Sequence, residues 1–194
     1  MTHRPLVVLK FFYQGSAASF QLTERHAIYL NVRSVYMPPP SFNTILKRFD
    51  GSIGRALYDA AAHGRTHILK ILFENGVDLN YKCDFCYDLS LLHIAAKMPS
   101  NQKALKYLLE SGATLFIDDM QNQFGLTPLM VACSNGSASE ELAMLLLKFG
   151  ADAKCKKTSK GSRGYTAYDF LLKIREKEFK PSPEFIEVLR VATF

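Results

Sequence analysis

Apolar positions along the chain recur in pairs of short runs rather than in one long stripe. The first pair is Leu57-Tyr58-Asp59-Ala60-Ala61-Ala62 and Ile68-Leu69-Lys70-Ile71-Leu72-Phe73. The second is Leu92-His93-Ile94-Ala95-Ala96 and Leu105-Lys106-Tyr107-Leu108-Leu109. The third is Thr127-Pro128-Leu129-Met130-Val131-Ala132-Cys133 and the run from Leu142 to Leu147. Leucines at i, i+3 and i+4 predict a helix in the second run of each pair, with one buried stripe. Adjacent small residues, Ala60-Ala61, Ala95-Ala96 and Ala132-Cys133, predict a shorter first helix that lets its neighbour come close. Gly76, Gly112 and Gly150 stand just past the second run, where a left-handed cap wants no Cβ. They are 36 and 38 residues apart, so the repeating unit is helix, turn, helix, glycine stop and extended loop. A weaker fourth copy begins Gly164-Tyr165-Thr166-Ala167-Tyr168-Asp169. Thr127 is placed to cap its helix, with Pro128 in the first turn. Ser90 and Thr166 hold the corresponding places in the second and fourth copies.

The flanks lack this regularity. Leu6 to Tyr13 and Ala27 to Tyr36 are rich in Val, Tyr and Phe, which suits short strands or a poorly ordered arm. Ala17-Ala18 leaves a small-residue cleavage site open, but the bulky aromatics upstream suit a strand better than a signal peptide. Pro38-Pro39-Pro40 forms a stiff spacer. Ser41 followed by Phe42, Ile45, Leu46 and Phe49 predicts a capped amphipathic helix that covers the apolar side of the first copy. Tyr168 to Arg175 predicts a further helix, and Glu184 to Val191 a last one whose terminal charges fit the helix dipole.

At these residues the chain resembles the ankyrin-repeat family. Gly125-Leu126-Thr127-Pro128-Leu129 carries the likeness best. Leu92-His93-x-Ala95-Ala96, Ala60-Ala61-x-x-Gly64 and Gly76-Val77-Asp78-x-Asn80 extend it. There are departures. Arg55-Ala56 replaces the Thr-Pro pair in the first copy, which weakens that helix's N-terminal cap. Copies two and three carry extra residues between their helices, Pro99-Ser100-Asn101 and Gly136-Ser137-Ala138-Ser139. The resemblance implies an all-α ankyrin-repeat solenoid of helix-turn-helix units with loop fingers. Residues 1–40 form an irregular arm, open to β-structure, and 41–194 the repeat domain. Within the latter, 41–50 is an N-capping helix, 51–80, 81–116 and 117–154 are repeats, and 155–194 is a degenerate closing repeat.

Composition narrows the function classes. The 194 residues are 48% hydrophobic and 22% charged, which excludes general disorder and supplies one core. No window approaches the 18 or so apolar residues of a membrane-spanning helix. The net charge of +6 favours acidic surfaces, yet it falls short of a nucleic-acid signature without a clustered patch and a motif. Cys83, Cys86, Cys133 and Cys155 are too few and uneven for a disulfide scaffold, so reduced thiols in the cytoplasm or nucleus are expected.

Candidate chemistry is sparse. Cys83-Asp84-Phe85-Cys86 has metal-ligand spacing, but zinc needs four ligands and no second pair follows. His93 fills the repeat's own helix position, and no thioredoxin-like pattern precedes the pair. Asp118-Asp119 are adjacent and point apart, so they cannot share a substrate. His63 and His67 straddle the expected turn. No phosphate loop, dinucleotide fingerprint, zincin or nucleophile-elbow motif occurs. Neither a metal nor a cofactor is implied, and nothing argues for an enzyme. Lys154, Lys156, Lys157, Lys160 and Arg163 cluster in one loop, read first as a solvated run and otherwise as a nuclear-import address. Tyr81, Phe85 and Tyr87 crowd the loop before the second copy, either packed under the arm or anchoring a partner.

The expected function is a non-catalytic adaptor or regulatory subunit that binds another protein. The family layout puts Asp59, His63, Lys97, Met130, Ser134 and Asn135 on the first helices as contacts. Tyr81, Phe85, Asp119, Gln123, Lys156 and Arg163 are the finger contacts. A chain with little besides repeats looks like the ankyrin-only inhibitors of cyclin-dependent kinases, which makes a kinase or cell-cycle complex the concrete partner class. A ubiquitin-ligase substrate receptor or membrane-skeleton linker is the alternative, with no adaptor box visible after residue 190. An enzyme with its site in residues 1–50 is the remaining class.

Overall fold

The structure is a computed structural model and describes residues 7–13, 16–22, 40–98, 101–135, 140–157, 164–175 and 181–194. It divides into two units, Met1–Pro39 and Pro40–Phe194. In the first, β1 (Val7–Tyr13) pairs antiparallel with β2 (Ser16–Leu22), from Val7↔Leu22 to Tyr13↔Ser16. β1 follows from its Val and Phe content. β2 begins Ser-Ala-Ala-Ser, residues with little strand preference of their own, and Ala17 and Ala18 stand opposite Phe12 and Phe11. The strand expected within Ala27–Tyr36 lies outside the described residues.

The second unit opens with α1 (Phe42–Arg48), capped by Ser41, whose Oγ accepts the Thr44 N–H at 3.3 Å. Ile45 is buried, and Phe42 and Phe49 pack against the same core, so α1 covers the start of the stack. Three helix pairs follow: α2 (Ile53–Ala62) with α3 (Thr66–Glu74), α4 (Leu91–Lys97) with α5 (Gln102–Glu110), and α6 (Pro128–Cys133) with α7 (Glu140–Lys148). A fourth pair is α8 (Ala167–Arg175) and α9 (Pro183–Thr193). First helices stack in the order α2, α4, α6, α8, and each packs on its own second helix. The result is an all-α solenoid with one continuous core.

That core is the periodic set read from the sequence. Leu57, Leu69, Leu72, Leu92, Leu105, Leu108, Leu129, Leu142 and Leu146 are buried, each contributing about 1.5–3 kcal/mol. Ala60, Ala61, Ala95, Ala96 and Ala132 are fully enclosed where first helices meet, which a larger side chain would prevent. Gly76, Gly112 and Gly150 adopt φ of +82°, +106° and +95°. A Cβ at any of them would meet open space, so the left-handed backbone alone imposes the glycine.

Two capping expectations are corrected. The first copy's cap is displaced rather than weakened: Ser52 Oγ accepts the Arg55 N–H at 3.3 Å, so α2 starts a turn earlier and runs 10 residues. Ser90 makes no cap hydrogen bond; its hydroxyl is turned instead to the buried His93. Thr127 caps α6 as expected, accepting the Met130 N–H at 3.2 Å. Thr166 and Asp169 form a reciprocal capping pair, with Asp169 Oδ2 accepting both the Thr166 N–H and hydroxyl at 2.8 Å. The extra residues of the second copy also have a use. Asn101 Nδ2 donates to the Ala61 and Ala62 carbonyls at 2.7 and 2.8 Å, closing the buried end of α2.

Candidate protein-binding surface

The finger before α4 is a small hairpin built on β3 (Lys82–Cys83) and β4 (Leu89–Ser90), paired Lys82↔Ser90 and Cys83↔Leu89. A 3-10 turn, Asp84–Cys86, leads to Tyr87 and Asp88, both left-handed at φ 59° and 57°. Two consecutive non-glycine residues in that region store strain, which surrounding contacts must hold. Those contacts come from the next finger. The Gln123 N–H donates to the Tyr87 carbonyl at 3.2 Å, and Gln123 Nε2 to Asp88 Oδ2 at 3.2 Å. Tyr87 and Phe124 pair with ring centroids 4.9 Å apart. Lys82 Nζ lies 3.1 Å from Asp119 Oδ2 and also donates to the Gln121 carbonyl at 3.3 Å.

Beneath the fingers, His93 is fully enclosed. Its Nε2 donates to the Leu126 carbonyl at 2.8 Å, which leaves Nδ1 to accept the Ser90 hydroxyl at 2.6 Å. Burial lowers its pKa, outweighing the opposing pull of that carbonyl and of Asp119, so the ring is a neutral strut between two copies. Burial likewise pushes the Cys83 thiol up to about 12, with the neighbouring Cys86 and Asp84 adding to it. Cys133 is pushed to about 12 by burial, and Cys155 to about 11 by burial and then Asp118 and Asp152. Protonated thiols at neutral pH are poor ligands and poor nucleophiles. Among the described residues no group of three or more His, Cys, Asp or Glu side chains is placed to hold a metal ion. No described helix is long and apolar enough to cross a membrane.

Several large apolar side chains also remain exposed here. Phe85 and Tyr87 are 54% and 55% accessible, Phe124 40% and Met98 39%. Phe85 leans edge-on against Tyr58 of α2, with centroids 5.6 Å apart. Between α2, α4 and this finger lies a recess of about 210 Å³, lined by Tyr58, Ala62, Cys86, Leu89, Ile94 and Met98 and flanked by Lys97.

Family models described as ankyrin repeats match residues 42–119 (three copies) and 92–147 (many copies). The chain belongs to the ankyrin-repeat family. Among solved structures it is similar to the crystal structure of the human ASB11 ankyrin repeat domain, at 28% identity and a TM-score of 0.50. That match covers 71% of this chain and 54% of the ASB11 chain. No curated protein matches it. Ankyrin repeats are protein–protein interaction modules and are generally non-catalytic.

The repeats distribute the expected contact residues unevenly. Met130 is a correction: it is fully buried, because it occupies the inward position that His93 fills in the second copy. Asp119 is only 11% accessible and is spent on Lys82. Asp59 binds Arg65 Nη1 and lies 3.2 Å from His63 Nδ1, so its charge is neutralised locally. Tyr81 is not at a finger tip; its hydroxyl sits where a Cβ on Gly54 would fall, and it packs back onto α2. Lys97, Ser134, Asn135, Gln123 and Phe85 are exposed on the first-helix and finger side. Asn135 Nδ2 donates to the Lys97 carbonyl at 2.8 Å, and Ser134 Oγ to the Val131 carbonyl at 2.8 Å. Lys156 is exposed beside Gly164, and Arg163 lies outside the described residues. Asp118 and Asp119 face different neighbours, Asp118 accepting the Asp152 N–H at 2.9 Å. Phe124 and Tyr58 were not foreseen. Phe124 had a signal, since it precedes Gly125-Leu126 as Tyr87 precedes Asp88-Leu89.

Proposed function

We propose that the protein is a non-catalytic adaptor or regulatory subunit that holds a protein partner against its first helices and finger tips. The observation that carries this reading is the apolar ledge of Phe85, Tyr87, Phe124 and Met98. Large exposed apolar patches mark interaction sites, and Tyr and Phe are favoured where interfaces bury them. The ledge is held in place before binding by cross-finger hydrogen bonds and ring contacts, which lowers the ordering cost of association. His63, Lys97, Gln123, Ser134 and Asn135 supply its polar contacts, while Asp59, Tyr81 and Asp119 are engaged within the fold. Lys156 and Arg163 serve as outlying finger contacts. For the partner we propose a kinase or cell-cycle complex, on the resemblance of a chain with little besides repeats to the ankyrin-only inhibitors of cyclin-dependent kinases.

Affinity capture with the full chain, read by mass spectrometry, tests this reading. The double variant Phe85→Ala/Tyr87→Ala should lose the proteins retained by the wild type, whereas Leu115→Ala, 85% exposed on another turn, should keep them. Equal retention by both variants would place the interaction elsewhere.

A further inference from the structure

The recess between α2, α4 and the first finger has a specific chemistry. Its walls are the ring of Tyr58, the methyl of Ala62 and the side chains of Leu89, Ile94 and Met98. At about 210 Å³ it lies below the ~300–1,000 Å³ usual for small-molecule sites, so it has room for one large side chain rather than for a metabolite. Met98, unbranched and 39% exposed at the lip, can adjust to the shape of what enters. The charges nearby are unequal. The neighbouring acid on α2, Asp59, is already ion-paired with Arg65. Lys97, exposed at the edge of the recess, is paired with no carboxylate among the described residues. Its backbone carbonyl, which would otherwise call for a positive charge at this helix end, already accepts a hydrogen bond from Asn135. The free charge at the opening of the apolar recess is therefore positive.

We propose that this recess is an anchor pocket for a single bulky aliphatic or aromatic side chain of a partner polypeptide with an Asp or Glu beside it. The side chain fills the space between Tyr58 and Ile94, and the carboxylate meets the Lys97 ammonium. The proposal rests on the protein-binding reading above and names the partner's chemistry within it.

The test is selection of random peptides displayed on phage against the full chain, followed by titration of the synthesised winners by fluorescence anisotropy. Winners should share a bulky apolar residue next to Asp or Glu. Lys97→Glu, at an exposed position, should weaken them about tenfold, combining a lost attraction with a new repulsion. Replacing the peptide's acidic residue by Lys should restore binding to Lys97→Glu. Ala62→Leu, which fills the recess from below, should weaken the same peptides at least as much, with an unchanged helical circular dichroism spectrum showing that it folds. Winners that lack the acidic residue, or that bind Lys97→Glu and Ala62→Leu as well as wild type, overturn the pocket. If those winners still depend on Phe85 and Tyr87, the protein-binding reading survives without it. An absence of winners overturns the pocket, and affinity capture insensitive to Phe85 and Tyr87 would remove the reading as well.

Discussion

Between the fingers that precede the second and third repeats, the ties are a Lys82–Asp119 ion pair, the Gln123–Asp88 hydrogen bond and the Tyr87–Phe124 ring pair. Among the described residues, those at the junction of the third and fourth repeats are fewer. Asp118 accepts the Asp152 N–H, and Ser182 at the start of α9 bonds Glu140 of α7 through both its N–H and its hydroxyl. The helices differ in the same sense. α3 packs on α5 and α5 on α7, whereas α7 borders an open groove of about 920 Å³, lined by Met144 and Leu147 together with Gln102 of α5 and Val188 of α9. In a solenoid each repeat contacts only its neighbours, so these interface differences decide which copies unfold together. The central copies should behave as one cooperative block, and the closing pair as a part that opens first.

The most severe way to break that contrast is to hollow each part in turn. Leu129→Ala in α6 should cost about 2–5 kcal/mol and lower the main transition in urea denaturation. Leu189→Ala in α9, equally buried, should instead raise hydrogen exchange in residues 164–194 while leaving the central amides protected. Identical exchange patterns for the two variants would mean a single cooperative unit. Next in size, Asn101→Ala leaves the Ala61 and Ala62 carbonyls without their buried donor and should cost about 1–3 kcal/mol in the same assay. Ser182→Ala removes the α9 cap and the hydroxyl half of the Glu140 tie, keeping the backbone N–H on Glu140, and should cost about 0.5–2 kcal/mol, read as earlier fraying of α9 by amide exchange.

The smallest effect is one of pH. Because burial holds the folded-state pKa of His93 below its ordinary value of 6.5, the unfolded chain takes up the proton first as pH falls. The stability contributed by the neutral ring is complete above that ordinary value. It is lost progressively below it, until the pH reaches the lowered folded-state pKa. Urea midpoints measured from pH 7.5 down to 5 should fall for wild type and fall less steeply for His93→Gln.

Much of the solenoid was legible because its signals are local. Leucine spacing, paired small residues and glycine at a left-handed cap each depend on a helix and its immediate neighbour. The features that escaped reading depend on which residues another copy brings alongside. Ser52 was overlooked because Arg55-Ala56 occupies the position where Thr-Pro stands in the third copy, although a hydroxyl three residues upstream does the same work. Asn101 looked like filler between helices until the α2 carbonyls were found beside it. Met130 reads as a contact from its place on a first helix, but its own Cβ direction turns it into the core.

From the order of residues alone came the repeating helix pair, its phase and its stops, since propensity and periodicity act within a turn or two of chain. The three-dimensional arrangement decided the rest. It spent Asp119 on Lys82, set Tyr87 against Phe124, and left Lys97 beside an apolar hollow with no carboxylate partner among the described residues. Those outcomes turn on distances across repeats some 35 residues apart in sequence, where only packing determines which side chains meet.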